Sequence, residues 1–125
     1  MAQTSERTSA AGTIRDAGAA WEPVRKSFRW TGTETAATLW SPAGSARIII
    51  TDVLVSITTA SKLTVFEESN TLAKLCFEID ATDKGGASMT HLRTPIKTSG
   101  GATVKVTTNG GAGVVTVYGY EEPDL

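Results

Sequence analysis

The chain holds one cysteine and one histidine in 125 residues. A lone Cys76 excludes a disulfide within the chain and a cysteine-rich metal site. A lone His91 excludes any site that draws two histidines from one chain. Charge of one sign is lacking too. Twelve Lys and Arg stand against 13 Asp and Glu, for a formal net charge of -1. There is no basic field to hold a phosphate backbone, so no nucleic-acid partner is expected. No apolar run approaches the roughly 20 residues of a membrane span. No apolar stretch follows a basic start, as a signal peptide would require. The expectation is a chain made in the cytoplasm, with no membrane partner. Charged residues are somewhat scarce at 20%. Thr, Ser and Gly fill the gap, as they do in turn-rich all-β proteins. The length suits one domain with a tail.

What is present centres on Arg47 to Thr59, the longest apolar run and one dense in β-branched residues. Such residues pack well on a pleated surface. Side chains alternate across a strand. One face then carries Ile49, Thr51, Val53, Val55 and Ile57, and the other Ile48, Ile50, Asp52, Leu54 and Ser56. The first is apolar throughout and reads as the core face, and the second, apolar early and then polar, reads as a partly covered outer face. The run exceeds the usual strand length, so a bend or bulge is expected near Asp52.

Residues 1–26 read as an N-terminal arm and joint, and 27–125 as a β-sandwich domain. The first 20 residues are small and polar, with Ile14 the only large aliphatic besides Met1. They bury too little to offset ordering entropy by themselves. They read either as a disordered tail or as an arm that orders on a neighbouring subunit, with a helical turn over 13–20 as an option. Further strands are expected at 27–32, 37–40, 46–58, 62–67, 71–79, 87–93, 102–108 and 114–120. The segment 71–79 also fits helical spacing, and its neighbours decide for strand. Asn70 suits a left-handed turn position. Asp80 to Gly86 reads as a loop, Thr94-Pro95 as a strand end, and Asn109 to Gly113 as a tight hairpin. About eight short, evenly spaced strands argue for an all-β, jelly-roll-like β-sandwich, with an immunoglobulin-like sandwich as the alternative. The Cys and Trp spacing of a true immunoglobulin domain is absent.

Chemistry-bearing residues are few. Asp80, Thr82 and Asp83 place oxygens as a calcium loop does, without EF-hand spacing or a closing Glu. Cys76 and His91 could form a nucleophile and base only if the fold joined them, and Cys76 sits among apolar residues. The pairs Glu67-Glu68 and Glu121-Glu122 read as solvated surface, because strand neighbours point to opposite faces. Gly110 to Gly113 follows a strand but has no helix or Lys after it, so it is not a phosphate loop. No catalytic, metal or cofactor site is expected, and the chain does not read as an enzyme. Trp21, Trp30 and Trp40 stand out. Exposed, they could stack on sugars or anchor an interface. One of Trp30 and Trp40 is expected in the core, and Trp21 in an intersubunit contact.

Several motifs carry a resemblance. They are Trp30-Thr31-Gly32-Thr33, Leu39-Trp40-Ser41-Pro42-Ala43, Ile49-Ile50-Thr51-Asp52-Val53, Leu92-Arg93-Thr94-Pro95-Ile96-Lys97 and Thr116-Val117-Tyr118-Gly119-Tyr120-Glu121. From Trp30 to Tyr120 the chain resembles small virion structural proteins of tailed bacteriophages, of the head decoration (cement) type. These motifs are structural punctuation, not catalytic signatures. The resemblance implies a virion-bound binding protein, a homotrimer whose partner is the major capsid protein. Interface candidates are then Ile14, Trp21, Val24, Arg25 and Trp30. The rival reading is a tail- or fibre-associated carbohydrate-binding module with Trp30 or Trp40 as the stacking platform.

Overall fold

The computed structural model describes residues 14–16, 19–81 and 87–123. The strands are β1 (Ile14–Asp16), β2 (Ala19–Trp21), β3 (Val24–Trp30), β4 (Thr33–Trp40), β5 (Arg47–Thr59), β6 (Ser61–Glu67), β7 (Leu75–Ala81), β8 (Ala87–Lys97), β9 (Val104–Asn109) and β10 (Ala112–Glu122). A single 3-10 turn, Leu72–Lys74, leads into β7. β1 and β2 pair antiparallel, Ile14 opposite Trp21, so strand replaces the helical option there. Residues 1–13 of the expected arm lie outside the described residues.

β3 to β10 form two four-stranded sheets, in the orders β3-β10-β5-β8 and β4-β9-β6-β7. The pairing is nested. β3 pairs with β10, β4 with β9, β5 with β8 and β6 with β7, all antiparallel. Rolling up one long antiparallel ribbon in this way makes the double Greek key of a jelly roll. The immunoglobulin-like alternative has no such first-with-last nesting and is set aside. β3 packs against β4 at one side of the sandwich. At the other side Phe77 and Ile79 of β7 face Leu92 and Ile96 of β8 across a slot of about 190 Å³.

The core is aliphatic. Ile48, Ile50, Val53, Val55 and Ile57 of β5 meet Val115 and Val117 of β10, Leu63 and Val65 of β6, and Val104 and Val106 of β9. The inward residues of β5 therefore change parity between Ile50 and Val53. Thr51 is the extra residue: Asp52 pairs with Tyr118 and Ile50 with Gly119, leaving Thr51 unopposed. This bulge corrects the uniform alternation expected above. Ile48 and Ile50 face the core, not the outside, because one inserted residue flips every side chain beyond it.

Trp30 and Trp40 are both core residues, each 1% exposed. Their indole N–H groups need partners when buried. Trp30 donates to Ser61 Oγ at 3.1 Å, and Ser61 donates on to the Gly110 carbonyl at 2.7 Å. At the other end Trp40 donates to Glu121 Oε2 at 2.8 Å, and Ala43 N–H donates to Glu121 Oε1 at 2.9 Å. The ring of Trp30 fits because Gly113 has no side chain. A Cβ there would lie 2.7 Å from the ring and 2.6 Å from the Ser56 carbonyl.

Other expectations change for identifiable reasons. Asn109 to Gly113 is no hairpin, since β9 and β10 lie in different sheets and the turn crosses between them. Gly111, at φ +70, makes that reversal where a side chain would strike the Ala60 carbonyl. β8 runs on through Pro95 to Lys97. It is an edge strand, where a missing N–H breaks no ladder, and a large register shift between Ile50 and Asp52 absorbs the proline. Glu68, at φ 63, takes the left-handed position assigned to Asn70. Its N–H donates to the Thr103 carbonyl at 2.9 Å, and Thr103 N–H donates back to its carboxylate at 2.7 Å. That reciprocal pair offsets a left-handed cost of about 1–2 kcal/mol.

Gly113→Ala is expected to lower unfolding free energy by about 1–3 kcal/mol through overpacking against Trp30. Gly32→Ala, with no atom within 4 Å of its Cβ, is expected to stay within about 0.5 kcal/mol. Urea denaturation of the two variants checks this.

Candidate functional site

Among the described residues the space between the sheets is small. The slot between β7 and β8, at about 190 Å³, falls short of the roughly 300 Å³ at which ligand pockets begin, and its walls are mostly apolar. The outer faces of the sandwich carry the wider concavities. A concavity of about 450 Å³ lies on the outer face of the β5 sheet.

The register builds this face in cross-strand rows. His91 on β8, Asp52 on β5, Tyr118 on β10 and Arg25 on β3 stand opposite one another in one row. Met89, Leu54, Thr116 and Ser27 form the next. The second row is mainly apolar on its β8 side, where Met89 is 64% exposed. On the β3 side it closes with a hydrogen bond of 2.8 Å between the Ser27 and Thr116 hydroxyls. The concavity gathers Thr51, Asp52, Tyr118, Met89 and Arg25, with Pro23 at its rim.

The β5 bulge positions its polar floor. His91 Nδ1 lies 2.6 Å from Asp52 Oδ1. The Thr51 hydroxyl donates to Asp52 Oδ2 at 2.9 Å and lies 3.2 Å from the Tyr118 carbonyl. The hydrogen bond from His91 is the main reason the Asp52 carboxyl is held below its ordinary value, with Thr51 adding to it and desolvation opposing. His91 is largely exposed. Its Nε2 has no hydroxyl or thiol partner among the described residues. The pair is an anchored charge on an open face.

Each candidate from the sequence has a place. Val24, half-buried, and Arg25, exposed, open β3. Ile14 and Trp21 are register partners in the β1–β2 ladder. Trp30 is buried and offers no surface. With Trp40 buried as well, neither ring is available as a sugar platform. Cys76 is on β7 and His91 on β8, in different sheets. Burial is the main cause that pushes the Cys76 thiol up to about 11, with the Glu67 charge adding to it, which keeps it a poor nucleophile. Asp80 ends exposed on β7, while Thr82 and Asp83 lie outside the described residues. Among the described residues no three His, Cys, Asp or Glu side chains come together as a metal would need. No helix there is long and apolar enough to cross a membrane. The glutamates read as solvated surface are staples instead. Glu67 accepts from Ser99 N–H at 2.8 Å, and Glu122 lies 3.6 Å from Lys97. The row of His91, Asp52, Tyr118 and Arg25 escaped the sequence reading. Its one local signal was an Asp inside an apolar run.

In the Asp52 pair the folded chain favours the carboxylate. Its contribution to stability is full above the ordinary carboxylate value and lost as pH falls through the lowered one. The stability difference between the wild type and Asp52→Asn is therefore expected at about pH 5 and expected to vanish towards about pH 2. Urea midpoints measured across that range check it, and a difference independent of pH contradicts it.

No protein family matches the chain, and no curated protein matches it in sequence. Among solved structures it is similar to a chain in the cryo-EM structure of the extra small virus (XSV) virus-like particle of the giant freshwater prawn Macrobrachium rosenbergii. The identity is 10%, with 96% of this chain and 90% of that chain covered, at a TM-score of 0.35. Overlap of that degree carries no argument about what this chain does.

Proposed function

We propose that the chain is a non-enzymatic virion structural protein, a capsid decoration protein that binds an assembled phage head as a homotrimer. One observation supports this above the rest: a jelly roll whose interior is filled by aliphatic side chains and two tryptophans, so that only its faces and edges are left to work with. Jelly rolls serve in viral capsids, lectins and cupins alike. A cupin needs ligands inside the barrel, and the inward side chains here are apolar, aliphatic ones with Trp30 and Trp40. A lectin of the kind considered above needs an exposed tryptophan, and Trp30 and Trp40 are buried. The capsid use needs faces and edges alone. The sequence resemblance described above points the same way.

The mechanism is binding. A ligand that contacts several shell subunits at once and has no affinity for free subunits stabilises the assembled state by mass action. The outer face of the β5 sheet, with Met89, Tyr118 and Arg25 around an anchored carboxylate, has the aromatic and arginine content that interfaces favour. The virion is the proposed location and the major capsid protein the proposed partner.

Light scattering on the full chain tests the assembly. A particle of three times the chain mass at micromolar concentration is expected. A monomer throughout the micromolar range contradicts the proposal.

A further inference from the structure

The sandwich has four edge strands, β3 and β8 in one sheet and β4 and β7 in the other. An unpaired edge is a template for another chain, and proteins blunt it with bulges, prolines and charges. β4 is interrupted by register shifts at Glu34/Ala37 and Thr38/Trp40 and by Ala36 at φ 50. β8 carries Pro95 and the large register shift beside β5. β3 and β7 are different. β3 keeps one unbroken register from Val24 to Trp30. β7 keeps one from Phe77 to Ala81 and is shifted only at its start, where Cys76 is unopposed between Leu75 and Phe77.

Their charges are opposite. β3 exposes Arg25, Lys26 and Arg29, and none of them has an ion-pair partner among the described residues. β7 exposes Glu78 and Asp80. Lys62 lies 3.6 Å from Glu78, whose carboxylate also accepts from the Thr64 hydroxyl at 3.2 Å. Asp80 has no ion-pair partner among the described residues. At the start of β7 stand two of the three exposed large apolar side chains of the described residues, Leu72 at 88% in the turn before it and Leu75 at 37% as its first residue. The strand order puts β3 and β7 on opposite sides of the molecule.

We propose that β3 of one copy adds to the β7 edge of a second copy, continuing the β6 sheet across the contact. This rests on the homotrimer reading and supplies its interface. A contact between two different patches of one chain is head-to-tail, and it forms a closed ring where the rotation permits. Backbone pairing gives the affinity and alternate side chains the specificity. An antiparallel register with Arg25 opposite Asp80 sets Phe28 opposite Phe77. Arg25, Ser27 and Arg29 then share one face of the junction with Asp80, Glu78 and Cys76, while Phe28 and Phe77 meet on the other, where Lys26 at the rim stands opposite Ile79. The same charges oppose β3 pairing with β3, so the edge is selective. Leu72 and Leu75 lie next to the junction, where a neighbouring copy covers them.

Charge reversal on the full chain tests this by light scattering, with circular dichroism confirming that each variant is folded. Arg25→Glu with Arg29→Glu is expected to weaken assembly roughly tenfold or more, and so is Glu78→Lys with Asp80→Lys. All four changes in one chain restore opposite signs and are expected to restore assembly. Association of the wild type is expected to weaken as salt rises. If the wild type assembles and neither reversal affects it, or the fourfold variant fails to recover, the β3–β7 contact is wrong while the oligomer stands. If the wild type is a monomer, the homotrimer reading falls and takes this contact with it.

Discussion

The pairing of β5 with β10 at the centre of one sheet is the constraint on which the rest of the molecule depends. Eleven residue pairs join them, from Ala112 with Thr59 to Glu122 with Arg47. The partners are more than fifty residues apart in sequence, so closing them costs loop entropy before any contact repays it. Once they pair, the nested order follows outwards to β3 and β8. The register also decides what each face carries. The unopposed Thr51 keeps Ile48 and Ile50 in the core together with Val53, Val55 and Ile57. It also brings Asp52 out beside His91 and Tyr118. A single inserted residue thus repairs the core pattern and makes the polar floor of the outer concavity.

The two buried tryptophans tie that central pairing to the ends of the sandwich. Each ring fills the core between the sheets, and each N–H reaches a polar group at one end: Ser61 for Trp30 and Glu121 for Trp40. Glu67, Glu68 and Glu121 accept N–H groups from Ser99, Thr103 and Ala43, pinning the loops at the Trp40 end. These carboxylates serve the fold. The proposed binding role falls to sheet faces and strand edges.

Much of the fold was legible in the sequence because short β-branched runs between Gly, Asn and Pro turns carry a strong local signal. The bulge near Asp52 was legible from strand length, but its consequence for the faces of β5 was not, since parity depends on which strand supplies the opposing residues. The turn at Asn109 to Gly113 was legible as a reversal. Local turn chemistry does not say whether the flanking strands stay in one sheet, and these do not. Pro95 stopped the expected strand early because edge position is a tertiary property. Trp30 and Trp40 could be read either way, as no local pattern says whether an indole N–H will find a buried partner such as Ser61. The Asp52–His91 pair joins residues 39 apart, and only the β5–β8 register brings them together.

The contrast among the four edges connects this fold to its proposed use. Bulges and a proline blunt β4 and β8, while β3 is regular throughout, β7 is regular from Phe77 to Ala81, and the two carry opposite charge. Hydrogen exchange of the full chain at low and high concentration measures this most directly. Amides of β3 and β7 are expected to gain protection as concentration rises, while those of β4 and β8 do not change. Protection that is independent of concentration, or that appears at β4 and β8 instead, would contradict it.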